Sequence, residues 1–212
     1  MPWERLTAWW LDEVNDPAYA EVVTPLVLEL VERVETGGVV ADLGSGDGRM
    51  MSVVAEATGS RVVGVELVES LARRAASPVV MSRLPVIPFA DASLRGAYAV
   101  LVLDHIEDHE AFFAETARVV RPGGFLAIVS NHPVWTAPGS TPIEDSDGEI
   151  LWRPGRYFDG GSSTEPAGGG EVVFFHRSMS DLLNAAADAG WSLERLMELS
   201  DQESVGSEVP RL

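Results

Sequence analysis

Apolar and polar positions recur with two different periods along the chain, and the switches between them outline an α/β domain. Helical spacing runs from Trp3 to Val14 and again, after Asn15-Asp16-Pro17, from Tyr19 to Val34. Asp16 ahead of Pro17 reads as a cap with proline at the first helical position. Val39 to Leu43 is a short β-branched run ending at a glycine cluster, which predicts a buried strand. A helix from Arg49 to Thr58, a strand from Arg61 to Val65 and a helix from Glu69 to Ala76 follow. Val79 to Met81 is a third strand and Ala97 to Leu103 a fourth; Asp108 caps a helix to Val120 that Arg121-Pro122-Gly123-Gly124 stops; Phe125 to Ser130 is a fifth strand. Strand and helix alternating in this way predict an α/β fold with a doubly wound, mostly parallel sheet.

The pattern breaks at residues 131–170, a Pro-, Gly-, Ser- and Thr-rich stretch expected to lack regular structure and to be functional or disordered. Glu171 to Phe175 resumes as a strand, Met179 to Ala189 as a helix stopped by Gly190, and Leu193 to Leu199 as a last strand, leaving a frayed tail at 200–212. No apolar run reaches the roughly 20 residues of a membrane span, and no signal peptide precedes the first helix, so a soluble, cytoplasmic protein is expected. With no cysteine, disulfides, thiolate metal sites and thiol nucleophiles are excluded. The formal charge of -18 repels a phosphate backbone, which argues against nucleic acid as a partner. The acidic stretch Glu144-Asp145-Ser146-Asp147 reads as a solvated loop rather than a metal site.

The segment richest in chemistry is Val39-Val40-Ala41-Asp42-Leu43-Gly44-Ser45-Gly46-Asp47-Gly48, a strand entering a glycine turn ahead of a helix. Glycines at alternate positions permit tight curvature and close approach of a ligand to main chain. Glu66 ends the next strand, about 20 residues on, where a carboxylate can accept from both hydroxyls of a ribose. The dinucleotide fingerprint G-x-G-x-x-G/A would need a small residue where Arg49 stands. Asp42 and Asp47 beside the loop oppose a pyrophosphate and suit a cationic sulfonium and a free ammonium group.

This segment resembles motif I of the class I S-adenosylmethionine-dependent methyltransferases. The likeness continues through Val62-Val63-Gly64-Val65-Glu66-Leu67, Ile87-Pro88-Phe89-Ala90-Asp91-Ala92-Ser93-Leu94, Val102-Leu103-Asp104-His105-Ile106-Glu107-Asp108 and Arg118-Val119-Val120-Arg121-Pro122-Gly123-Gly124, spanning roughly residues 20 to 130. The resemblance implies S-adenosyl-L-methionine as cofactor and S-adenosyl-L-homocysteine as product. It places the methionine moiety near Asp42 and Gly44, the ribose on Glu66 and Leu67 against the adenine, with Tyr19, Ser45, Gly46, Asp47, Gly48, Leu84, Leu103 and Asp104 completing the cofactor site. Two positions depart from the family pattern. Arg83 stands where an acidic residue commonly holds the adenine amino group, leaving that contact absent or made by backbone near Leu84, and Leu94-Arg95-Gly96 replaces a common aspartate before the fourth strand.

Methyl transfer to a hydroxyl or ammonium acceptor requires removal of a proton, a task suited to histidine near neutral pH. His105 follows the fourth strand and His132 the fifth, at the carboxyl edge where open α/β sheets bind ligands. His176 precedes the last helix in a His-Arg step. With Ser130-Asn131-His132-Pro133 and Tyr157-Phe158-Asp159-Gly160-Gly161, that step resembles a subset of bacterial small-molecule methyltransferases. These three are the candidate catalytic residues; His109 faces solvent, and an already neutral amine would need no base. Trp3, Trp9, Trp10, Trp135, Trp152, Tyr19, Tyr157 and Phe158 gather in the N-terminal helices and the insertion, as in a lid over an apolar acceptor or as plain packing. The division is then a helical lid (1–34), a cofactor-binding core (35–130), a substrate-side insertion (131–170), a C-terminal strand–helix–strand (171–199) and a tail (200–212). The expected activity is methyl transfer to oxygen or nitrogen of a small-molecule acceptor, possible in secondary metabolism. The alternatives are a protein or peptide methyltransferase and a non-catalytic cofactor-binding module.

Overall fold

Five apolar runs, separated by helices except between the third and fourth, come together as β1 (Val39–Leu43), β2 (Arg61–Glu66), β3 (Val79–Met81), β4 (Leu94–Val100) and β5 (Val120–Val129), parallel in the order β3-β2-β1-β4-β5. The computed structural model describes residues 2–13, 15, 17, 19–31 and 37–199. Strand order reverses between β1 and β4, so the crevice beyond their carboxyl ends is the topological switch point at which such sheets take ligands.

Alternation along the strands sends side chains to two cores. On one face Ala41, Leu43, Ala97 and Ala99 pack with Phe112 and Phe113 of α6 (His109–Val119) and with Leu182 and Ala185 of α8 (Met179–Asp188). On the other, Val40, Val62 and Tyr98 pack under α3 (Thr24–Val31) and α4 (Arg49–Thr58). Asp42 shares the parity of Val40 and pairs in register with Tyr98, which directs its carboxylate to the α3–α4 side. Asp108 caps α6 by accepting from the Ala111 amide at 2.8 Å, as its sequence position predicts.

Several boundaries move. The first helix is α1 (Pro2–Arg5) and α2 (Thr7–Glu13), and the second begins as a π turn, Tyr19–Val23, before α3. The helix expected over Glu69 to Ala76 is the single turn α5 (Glu69–Ala72). β4 lies three residues earlier than the apolar run suggests, because Leu101 turns at φ 53° and Leu103–His105 coil into a 3-10 turn. Arg121 to Gly124 ends α6 but is absorbed as a bulge in β5, with Leu94 opposite Val120 and Gly96 opposite Phe125. Val14, the Asp16 cap, the end of the second helix at Val34 and the tail 200–212 lie outside the described residues.

The 131–170 stretch is more ordered than its composition implies. It holds α7 (Pro133–Thr136), a hairpin of β6 (Thr141–Glu144) with β7 (Ile150–Arg153), and β8 (Gly161–Ala167). β8 pairs antiparallel with β9 (Gly170–His176), which contains the predicted Glu171 to Phe175 strand but stands apart from the central sheet. The strand expected at Leu193 to Leu199 does not form. Its alternating pattern is instead tied by side chains, Trp191 Nε1 to the Phe113 carbonyl at 3.3 Å, Arg195 to Glu29 at 2.9 Å and Glu198 to His132 at 2.7 Å. Among the described residues no helix is long and apolar enough to cross a membrane.

Candidate active site

The turn after β1 is built on three left-handed glycines, Gly44, Gly46 and Gly48, at φ 82°, 55° and 80°. The Gly44 and Ser45 amides both donate to the Val65 carbonyl, at 2.8 and 3.1 Å, locking the turn to β2. A Cβ on Gly44 would lie 2.7 Å from Val102 Cγ2, and one on Gly46 2.4 Å from the Trp10 ring. Glycine is therefore required here first by the close approach of the loop to Val102, just beyond β4, and to α2.

Glu66, at the end of β2, is buried and clamped by amides: Gly46 N–H donates to Oε2 at 2.8 Å, and Leu67 and Val68 N–H to Oε1 at 2.9 and 2.8 Å. Burial raises its pKa against these three bonds, with Glu4 adding in the same direction. Asp42 is 2% exposed and accepts the Tyr98 hydroxyl at 2.9 Å. Burial pushes it up to about 7 against that hydrogen bond, helped by the nearby charges of Glu66 and Asp47. Asp104 accepts from Asn131 through the backbone amide at 3.3 Å and the side chain at 3.1 Å. Burial lifts it to about 6, while Asn131, Arg177 and His176 pull the other way.

Asp47 differs from the expectation of a bare carboxylate at the loop. Arg49 grips it in a fork, Nε to Oδ1 at 3.0 Å and Nη2 to Oδ2 at 2.7 Å, which offsets part of its charge while leaving a push on Asp42. The Arg49 guanidinium also lies 5.7 Å from the ring centres of both Trp10 and Tyr19. A cavity of about 280 Å³ opens between the π turn and the start of α4, bordered by Tyr19, Thr24, Arg49 and Val53. Ser45 Oγ is buried against the Gly64 backbone and has no hydrogen-bond partner among the described residues. Leu67 is half-buried, Leu84 packs at the margin of the α6-side core and Leu103 is buried within it.

The three candidate histidines sit in different chemistry. His105 is half-buried between Trp3 and Phe174, at ring-centre distances of 4.8 and 4.7 Å. Its Nδ1–H donates to the Val173 carbonyl at 2.9 Å, because a carbonyl only accepts, so the Nε2 lone pair is available. No hydrogen bond to that nitrogen occurs among the described residues, and burial lowers the pKa against the Val173 bond. His132 accepts the Val134 amide on Nδ1 at 3.2 Å as the cap of α7 and donates Nε2–H to Glu198 at 2.7 Å. His176 is 2% exposed, donates Nε2–H to the Tyr157 carbonyl at 2.8 Å and accepts the Thr136 hydroxyl on Nδ1 at 3.1 Å. It stands beside Asp104 electrostatically, whereas His105 joins the glycine loop through Val102, whose carbonyl accepts the His105 amide at 2.9 Å.

α1 and α2 cross the carboxyl edge above these groups. Trp10 covers Gly46, Thr7 Oγ1 meets Ser70 Oγ at 2.8 Å, Leu6 is buried with Ala167 and Val172, and Trp9 lies on Gly168 of the β8–β9 turn. Sequence reasoning missed Tyr98 as the partner of Asp42 and the Val173 carbonyl as the group that orients His105. It also missed Arg177, whose guanidinium holds the carbonyls of Ile106, Glu107 and Phe175. Only the His-Arg step at 176–177 gave any signal of the last.

A glycine turn and buried carboxylates at the switch point of a parallel sheet define an α/β protein that takes a nucleoside-bearing ligand. Residues 41–128 match the methyltransferase domain family. A solved S-adenosylmethionine dependent methyltransferase from Mesorhizobium loti superposes with a TM-score of 0.73 at 26% identity, covering 84% of this chain and 85% of that one. The O-methyltransferase rstn1 of Aspergillus nomiae is 29% identical over 133 residues, 57% of this chain and 59% of the relative. Methyltransferase GfsG of Streptomyces halstedii is 31% identical over 133 residues, 57% and 48%. The chain spans about half the length of the curated relatives it matches. Residues 41–128 thus carry a methyltransferase domain, on a fold shared with class I S-adenosylmethionine-dependent methyltransferases.

Proposed function

We propose that the chain transfers a methyl group from S-adenosylmethionine to an oxygen or nitrogen of a small-molecule acceptor, working in the cytoplasm with α1–α2 as a lid and residues 131–170 on the acceptor side. One observation carries the cofactor reading: Asp42, Glu66 and Asp104 are buried acceptors at one sheet edge, and the charged neighbours of Asp42 are the carboxylates of Glu66 and Asp47. Such a set suits a cation that brings its own hydroxyl and ammonium donors. When bound, S-adenosylmethionine supplies an electrophilic methyl on a positively charged sulfur.

Asp42 and the Gly44–Gly46 turn would hold the amino-acid end, with Tyr19 and the Asp47–Arg49 pair bordering it and Ser45 and Gly48 shaping the turn. Glu66 would hold the ribose, and Leu67, the backbone near Leu84, Leu103 and Asp104 the base and its surroundings. His105 is the strongest candidate to take the acceptor proton. Val173 fixes its tautomer, burial keeps it neutral near pH 7, and its Nε2 is uncommitted, unlike both nitrogens of His132 and His176. The relatives named O-methyltransferases support a hydroxyl acceptor, and the strong negative charge supports an acceptor other than nucleic acid. Screening hydroxylated and amine-bearing metabolites with methyl-labelled cofactor tests this reading: label should appear in a small molecule, and exclusive labelling of peptides, or cofactor binding without turnover on any acceptor, overturns it.

A further inference from the structure

The β6–β7 hairpin leaves a strand edge blunted by nothing but its four-residue length. β7 pairs with β6 alone among the described residues. The Asp145 amide donates to the Glu149 carbonyl at 2.9 Å, which makes that couple a hydrogen-bonded rung. By the two-residue alternation of an antiparallel ladder, Ile143/Leu151 and Thr141/Arg153 are rungs of the same kind. The backbone groups of Ile150 and Trp152 therefore point away from β6. Their side chains and that of Leu151 are exposed, at 72%, 38% and 47%. Trp152 meets Trp135, itself exposed, at 4.2 Å between ring centres, extending the apolar surface beyond the strand.

Free edges are usually protected by proline, lysine, bulges or shortness. In the central sheet, β3 has three residues and β5 carries Pro122 within its bulge. β7, with the sequence Ile-Leu-Trp-Arg, has none of the first three devices.

We propose that β7 pairs antiparallel with β7 of a second copy of this chain, about a two-fold axis at Leu151. In that register Leu151 faces the partner's Leu151, Ile150 faces the partner's Trp152, and Glu149 faces the partner's Arg153, the last two contacts occurring twice. The outward-pointing amides and carbonyls of Ile150 and Trp152 then meet one another, whereas a slip of one residue would set them against groups already used by β6. The charge pattern selects the same orientation. The hairpin tip carries Glu144, Asp145, Asp147 and Glu149 and its base Arg153 and Arg156. Antiparallel pairing brings each acidic tip to the other copy's basic base, and parallel pairing would stack acid on acid.

Sedimentation of the full chain over a concentration series, with amide exchange on the same samples, tests the proposal. The expected species has twice the 22.8 kDa chain mass, and the Ile150 and Trp152 amides should be protected when it forms and exposed on dilution. Leu151→Lys, which sets two ammonium groups face to face, and Glu149→Arg, which meets the partner's Arg153, should each return the single-chain mass. Combining Glu149→Arg with Arg153→Glu should restore the dimer. A single-chain mass at every concentration overturns the proposal. So does a dimer indifferent to both single changes, a charge swap that fails to restore association, or protection of Ile150 and Trp152 that follows added acceptor rather than chain concentration.

Discussion

The Gly46 amide donates to Glu66 Oε2 at 2.8 Å, so the carboxylate assigned to the ribose also braces the glycine turn. Removing it should act twice. Glu66→Ala strands three amides, the buried ones of Gly46 and Val68 and the partly buried one of Leu67. It should therefore lower unfolding stability by roughly 1 to 3 kcal/mol, and cofactor affinity by about 1.5 to 3 kcal/mol, the scale of charge-assisted hydrogen bonds. Chemical denaturation and calorimetry on one preparation separate the two effects. A destabilised variant that binds as tightly as the parent would confine Glu66 to a structural role.

Asp42 makes the site sensitive to pH. Burial holds its carboxyl up to about 7 in the folded chain, against about 4 when unfolded. Across that window the folded state binds the extra proton, so the Asp42 contribution to stability falls as pH rises from about 4 to about 7 and is flat outside it. A cationic ligand favours the ionised form, so cofactor affinity should climb with pH to about 7 and then level off. Asp42→Asn should reduce the slope of both profiles, the raised carboxyls of Asp104 and Glu66 keeping the remainder; an affinity profile unchanged by that substitution would detach Asp42 from the ligand.

The hydrogen bonds of the histidines separate their roles. For a hydroxyl acceptor, His105→Ala should lower kcat by about 10²- to 10⁴-fold with cofactor Kd nearly constant. His176→Ala removes the ring from the Tyr157 carbonyl and leaves the Thr136 hydroxyl only its longer bond to the Pro133 carbonyl, and should cost roughly 1 to 3 kcal/mol of stability. His132→Ala should retain turnover within a few-fold. If a His176 variant melts like the parent yet is inactive, while the His105 variant turns over normally, the base has been assigned to the wrong residue.

Trp10 lies on Gly46 and Trp3 on His105, which makes the N-terminal helices a cover for the crevice. Trp10→Ala should speed cofactor release by about tenfold, equivalent to ~1.4 kcal/mol. Stopped-flow displacement with the demethylated product measures this, and an unaltered release rate would reduce α2 to packing.

What was legible in the sequence was local. Val39–Leu43, the Gly44-Gly46-Gly48 turn, the helix from Arg49 to Thr58 and Glu66 at the next strand end all follow from neighbouring residues, and they recur in the structure. What was not legible depends on partners distant in the chain. Tyr98 reaches Asp42 only through strand register, and the tautomer of His105 is set by a carbonyl in β9. Leu193 to Leu199 alternates like a strand yet lacks a ladder partner among the described residues, and Trp191, Arg195 and Glu198 anchor it by side chains instead. The β6–β7 hairpin escaped notice because Pro-, Gly- and Ser-rich flanks mask two four-residue strands.

Calorimetric titration of the full chain with S-adenosylmethionine, its demethylated product and NAD tests the central assignment most directly. The glycine spacing, the acceptor-only edge of Asp42, Glu66 and Asp104 and the Asp47–Arg49 pair predict one site for the methyl donor or its product, with affinity on the order of micromolar. NAD should give no comparable heat. Tighter binding of NAD than of either methyl-cycle ligand, or the same heats after Glu66→Ala, would contradict the account.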